Sequence, residues 1–176
     1  KDVELDLIAI NRQLHDAIVE TYDDRHVEIY NATEQQRIAE NISLAINQIR
    51  NGTTEPMTLD FGSGTGNLSE KLLDSGAAVL AADISEASLM YLQKKLPGKN
   101  DKLSTHVLNG RDLSDLEMNR FDLVAKYSVL HHIPDYLMAI SELIRVTKPG
   151  GILYIDHEVT PGYWLGEHNY MEYLSE

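Results

Sequence analysis

Apolar residues recur at three- and four-residue intervals at the start of the chain. Val3, Leu7, Ile10, Leu14 and Ile18 predict an amphipathic helix that packs through this stripe. A polar, aromatic connector follows over 21–32. A second stripe then runs through Ile38, Ile42, Ala45 or Ile46, and Ile49. Thr33 stands in the N-cap position of this second helix, with Gln36 three residues on in capping-box register. Asn51-Gly52 tolerates the left-handed C-cap that ends a helix. From Met57 onward the period shortens. Apolar runs at Met57 to Phe61, Ala77 to Ala82, Leu103 to Leu108, Phe121 onward and Ile152 to Ile155 read as strands. Helical segments lie between them: Thr65 to Asp74 stopped by Gly76, one capped by Ser85 and stopped by Pro97-Gly98, and one from about Pro134 to Val146. Such alternation predicts an α/β fold, a doubly wound, mostly parallel sheet with right-handed crossovers behind two N-terminal helices.

Composition narrows the class. The chain has 176 residues, enough for one domain with its own core, and 43% hydrophobic content is ordinary for a soluble globular protein. No apolar run approaches the ~20 residues of a membrane span. The charged start, Lys1-Asp2-Val3-Glu4, does not resemble a signal peptide, and the absence of an initial Met reads as a processed product or a fragment. There is no cysteine, so thiolate metal sites and disulfides are excluded, which fits a cytoplasmic protein. Net charge is −13, with 28 acidic against 15 basic residues. That balance repels a phosphate backbone and argues against nucleic acid as partner.

The most informative stretch is Leu59-Asp60-Phe61-Gly62-Ser63-Gly64-Thr65-Gly66-Asn67-Leu68. A short strand meets glycines at alternate positions, and a helix follows. The third glycine comes one residue too early for the dinucleotide fingerprint, and the P-loop pattern is missing. Asp83 ends the second strand about 20 residues after Gly64, the separation at which a carboxylate in such a fold meets ribose hydroxyls. Asn109-Gly110-Arg111-Asp112 closes the third strand, and Phe121-Asp122-Leu123-Val124 leads through Lys126-Tyr127-Ser128 to Leu130-His131-His132. Lys148-Pro149-Gly150-Gly151 turns into the fifth strand. Over roughly Met57 to Glu158 these four motifs, in this order, resemble the class I, Rossmann-like, S-adenosylmethionine-dependent methyltransferases.

The resemblance implies S-adenosylmethionine as cofactor and S-adenosylhomocysteine as product. It places Asp60, Gly62, Gly64, Gly66, Asp83, Ile84, Asp112, Lys126 and Tyr127 at the cofactor, with Asp115 close to Asp112 in a turn where Asp is common. His131 and His157 stand at the active end of the sheet as candidate bases, while His132 reads as a packing residue. A metal is not expected from these histidines, because neighbouring strand residues point to opposite faces. Residues 1–56 are implied to form a helical lid, with Tyr22, His26 and Tyr30 meeting cofactor or substrate, and 57–176 the cofactor-binding core. The family's sixth and seventh strands are absent from the sequence pattern. This makes the core C-terminally incomplete and leaves the fifth strand as an edge open to self-association. The expected function is in-line methyl transfer to a small-molecule acceptor. A non-catalytic cofactor-binding module of the same fold, or an NAD-linked oxidoreductase, is the alternative.

Overall fold

The computed structural model describes residues 3–49, 54–99 and 101–158. The N-terminal part comprises α1 (Val3–Ile18), a 3-10 turn (Val19–Thr21), the single-turn helices α2 (Tyr22–Arg25) and α3 (Val27–Tyr30), and α4 (Ala32–Ile49). Then β1 (Met57–Phe61), α5 (Asn67–Asp74), β2 (Ala78–Asp83), α6 (Glu86–Lys95), β3 (Leu103–Val107), β4 (Phe121–Tyr127), a 3-10 turn (Leu130–His132), α7 (Tyr136–Val146) and β5 (Thr147–Asp156) follow. The strand order is β3-β2-β1-β4-β5, and every pairing is parallel. The chain winds outward from β1 to β3, then returns beside β1 with β4. The loops after β1 and β4 therefore part at the switch point, where open α/β sheets bind ligands. No helix among the described residues is long and apolar enough to cross a membrane.

The sheet separates two cores. On one side Val79, Ala81, Leu123 and Ala125 pack against Ile38, Ile42 and Ile46 of α4, Leu68 and Leu72 of α5, and Leu89 and Leu92 of α6. On the other, Leu59, Phe61, Leu80, Ala82 and Val124 pack against Leu143 and Val146 of α7 and Leu113 and Leu116 before β4. Alternate residues of a strand thus feed opposite cores, as the period of two requires. Each fully buried Val, Leu, Ile or Phe side chain among these contributes about 1.5–3 kcal/mol. The second N-terminal helix is therefore an integral layer of the core.

Several local expectations shift. Leu7, Ile10 and Leu14 of α1 are 48%, 52% and 63% exposed. The less exposed positions lie one residue over, at Ile8, Asn11 and His15, although Leu7 also reaches the cavity wall. Polar and shape contacts hold α1 in that rotation: Asp16 Oδ1 accepts from Ser85 Oγ at 2.5 Å, and Ile8 fills the space beside Gly110. The cap of α4 is Asn31, not Thr33. Asn31 Oδ1 accepts from Glu34 N–H at 3.0 Å, while its amide donates to the Val27 and Glu28 carbonyls. Gln36 turns to Glu40 instead. Asp135 caps α7 by accepting from Met138 N–H, which leaves Pro134 outside the helix. The Lys148-Pro149-Gly150-Gly151 turn lies inside β5 as a register irregularity, with Thr147 pairing before it and Ile152 after. Asn51-Gly52 and the stretch beyond Glu158 lie outside the described residues.

Candidate functional site

The turn after β1 is built on backbone that glycine alone adopts easily. Gly62, Gly64 and Gly66 have φ of 70°, 48° and 94°. Gly62 and Ser63 N–H both donate to the Ala82 carbonyl, at 2.8 and 3.1 Å, which clamps the turn to β2. Gly64 N–H donates to Asp83 Oδ2 at 2.8 Å, and Ser85 N–H donates to Oδ1 at 2.8 Å. Burial pushes the Asp83 carboxyl up from its ordinary value, against these two bonds. Asp60 is buried beneath the turn, where its Oδ2 accepts from Ser69 Oγ at 2.6 Å. Burial raises it to about 7.

A cavity of about 150 Å³ opens above this turn. Its walls bring together Asp60, Gly62, Gly64, Asp83, Ile84, Asp112, Tyr127, Tyr22 and Tyr30 of the expected site residues. Gly66, Lys126, His26, His131 and His157 lie outside its lining. Gly66 caps α5 and abuts Leu92. Asp112 sits in a turn in which its Oδ1 accepts from Asn109 Nδ2 and from Ser114 N–H and Oγ. Those bonds, led by the Ser114 hydroxyl, hold its carboxyl down at about 2.

Side chains of the N-terminal helices form part of the cavity wall. Tyr30 Oη and Thr65 Oγ1 lie 2.8 Å apart, Thr65 Oγ1 donates to Asp23 Oδ1 at 2.6 Å, and Lys95 Nζ donates to Asp23 Oδ2 at 2.5 Å. Gln35 Nε2 reaches Asn67 Oδ1 at 2.9 Å. Ile8, Asn11, His15 and Val19 of the first helix and its following turn also face the cavity. His26 instead bonds Glu28 and lies 4.3 Å from the Tyr22 ring, centroid to centroid.

The histidine pair after β4 divides. His131 Nδ1 meets the Glu158 carboxylate at 2.9 Å, whereas His132 lines the cavity, edge-on to His15 at 5.5 Å. Burial, then the neighbouring His131 and His15, keep the His132 imidazole well below its ordinary value. It is therefore neutral near pH 7, the state a proton acceptor needs. His157 is exposed and stacks on Tyr127 at 4.7 Å. Lys126 is fully buried against Glu158 and the Asp156 carbonyl. Tyr127 Oη donates to Glu34 at 2.7 Å. The sequence reads His132 as a packing residue and does not single out His15, Ser63, Asn67 or the Glu158 carboxylate that meets His131 and Lys126. Ser63 and Asn67 lay within the quoted glycine motif, and the others depend on contacts far apart in sequence.

Two observations fit the walls to a polar ligand. Ser63 Oγ and Asn67 Nδ2 are buried at the turn with no hydrogen-bond partner among the described residues. Such donors in a closed wall call for a partner in the cavity. A Cβ at Gly64 would meet no atom within 4 Å among the described residues, so the backbone there faces open space.

Residues 59–155 match the family described as "Methyltransferase domain". The chain belongs to this family. It is 35% identical over 118 residues to a demethylmenaquinone methyltransferase of Clavibacter sepedonicus, covering 66% of this chain and 46% of the relative. It is 28% identical over 103 residues to a ubiquinone biosynthesis O-methyltransferase of Aromatoleum aromaticum, covering 58% and 44%. The chain thus spans less than half the length of these curated relatives. Its fold also matches a SAM-dependent methyltransferase structure from Aquifex aeolicus, with TM-score 0.60, 20% identity, and coverage of 80% of this chain and 71% of that one. The five-stranded parallel sheet with its flanking helices is the Rossmann-like architecture of class I S-adenosylmethionine-dependent methyltransferases.

Proposed function

We propose that this methyltransferase domain binds S-adenosylmethionine in the cavity and transfers its methyl group to a small, largely apolar acceptor carrying a hydroxyl or an activated carbon. The Asp83–Gly64 pair at the cavity floor carries this reading, with Ser63 Oγ and Asn67 Nδ2 beside it, neither of which has a hydrogen-bond partner among the described residues. Asp83 would hold the ribose hydroxyls, since each carboxylate oxygen keeps a lone pair after its backbone bond. Ile84 would flank the adenine, and Asp112 would accept from its amino group. Gly62, Gly64 and Gly66 shape the turn, and Ser63, Asn67 and Asp60 would meet the polar amino-acid end. Bound S-adenosylmethionine supplies a methyl carbon already activated by its sulfonium sulfur.

The chain's own residues then need to align the acceptor, exclude water and accept a proton. Ile8, Val19, Ile133 and Pro134 give the cavity apolar walls. His132, neutral and facing the cavity, would take the acceptor's hydroxyl proton on its ring nitrogen as the oxygen attacks. The bound cofactor would supply the leaving sulfide, which would keep the electron pair of the methyl–sulfur bond. The relatives' names refer to ubiquinone biosynthesis and demethylmenaquinone, both quinone chemistry, and support a phenolic or quinol acceptor. Methyl-labelled cofactor incubated with phenols and quinols tests this, and label in an acceptor is the expected result. A protein that binds cofactor yet labels none of them would favour a non-catalytic module.

A further inference from the structure

We propose that Glu158 is a positioning residue that sorts the histidine pair, holding His131 out of the cavity so that His132 enters it. This rests on reading the cavity as a cofactor and acceptor site. The chain leaves β4 through Ser128, whose φ is +57°. The next three backbone N–H groups converge on one carboxylate. Val129 and Leu130 N–H donate to Glu158 Oε1 at 2.9 and 2.8 Å, and His131 N–H donates to Oε2 at 3.1 Å. Successive N–H groups aimed at one point form an anion-binding nest. Here the chain supplies its own anion, from the end of β5. Two side chains complete the shell: the fully buried Lys126 ammonium, and His131 Nδ1 at 2.9 Å.

The consequences reach the cavity on two sides. A Cβ on Gly62 would stand 2.4 Å from Val129 Cγ2, so the loop that Glu158 fixes is also the wall of the glycine turn. Leu130 is buried as the anchor of the following turn, and His132 then comes against His15. Because Glu158 engages the His131 ring, His132 is the imidazole left to the cavity. Without the carboxylate, three N–H groups and a buried ammonium lose their common acceptor, which is far costlier than losing a surface ion pair. The loop then has no reason to keep the two rings sorted.

Ring carbon–proton NMR spectra of the histidines test this, on the wild-type chain and on Glu158→Ala and Glu158→Gln. In the wild type the His132 signal is displaced by the rings of His131 and His15. Glu158→Ala moves both His131 and His132 signals toward free-histidine positions and broadens them, and added formate, filling the vacated nest, brings them back. Glu158→Gln, which keeps a backbone acceptor but no charge for Lys126, gives an intermediate shift and guards against a variant that fails to fold. Folded variants with unchanged His131 and His132 signals would overturn the proposal. So would formate that raises thermal stability without restoring the signals. Calorimetry of S-adenosylhomocysteine on the wild type is read separately: no binding there defeats the cofactor reading, whatever the histidine signals do.

Discussion

The Thr65 hydroxyl donates to Asp23 Oδ1 at 2.6 Å, tying the N-terminal helices to the glycine turn. Lys95 of α6 takes the other carboxylate oxygen, so a single side chain joins three elements around the cavity. We expect Asp23→Ala to speed hydrogen exchange over residues 7–30 while β1, β2 and β4 stay protected. Loss of charge-assisted bonds of this kind costs about 1.5–3 kcal/mol. Equal protection in the variant would show that the helices do not depend on this tie.

The same carboxylate sets a pH dependence. Burial alone would raise its pKa, but the Lys95 and Thr65 bonds outweigh burial and leave it below the ordinary value. A depressed carboxylate contributes stability above its unfolded pKa and loses it as pH falls through the folded value. The N-terminal helices should therefore loosen in acid before the sheet unfolds. Tyrosine fluorescence changing before far-ultraviolet dichroism in an acid titration is the expected sequence.

The three glycines should respond differently to alanine. At Gly64 only the positive φ resists, at about 1–2 kcal/mol, but the new methyl would enter the cavity. At Gly62 and Gly66 the methyl would also strike Val129 or Leu92, at 2.4 and 2.8 Å, and overpacking adds about 1–3 kcal/mol. Melting temperatures should fall more for Gly62→Ala and Gly66→Ala. Cofactor affinity relative to stability should fall most for Gly64→Ala. The reverse order would place the ligand elsewhere.

Asp60 gives a second pH signature, of opposite sign. Burial raises its carboxyl to about 7, so the folded state holds a proton that the unfolded state has lost. Its contribution therefore favours folding in mild acid and declines as pH rises from the unfolded carboxylate pKa through about 7. Asp60→Asn, which cannot ionise, should flatten that decline in chemical denaturation. An unchanged slope would mean that Asp60 is ionised throughout.

His132→Ala should cut turnover of a phenolic acceptor by about 10²–10⁴, the range of a positioned general base, with cofactor affinity little changed. The depressed His132 pKa keeps the base neutral well into acid, so the acid limb of turnover should lie below the ordinary histidine value. His157→Ala removes only a ring stacked at the surface and should leave turnover nearly intact. Equal losses from both substitutions would shift the base from His132.

What the sequence disclosed was local. The positive-φ turn through Gly62, Gly64 and Gly66 and the strand end at Asp83 were legible because a strand, a glycine turn and a strand end have fixed spacing along the chain. The Ser85 cap was legible for the same reason, and Ser85 Oγ does accept from Ser88 N–H at 3.0 Å. The inward face of α1 was not legible, because stripe counting assumes an apolar partner and α1 instead meets a cavity, a glycine and a hydroxyl. The division of His131 from His132 was hidden for another reason. It depends on a carboxylate 27 residues away that points into backbone rather than at a side-chain motif.

Titrating S-adenosylhomocysteine into the wild type and Asp83→Ala in a calorimeter decides whether the cavity floor at Asp83 holds the cofactor. Loss of hydrogen bonds to a charged group costs about 1.5–3 kcal/mol. At 1.4 kcal/mol per tenfold, that weakens affinity by about tenfold or more. A folded Asp83→Ala chain that binds as tightly as the wild type would contradict the assignment.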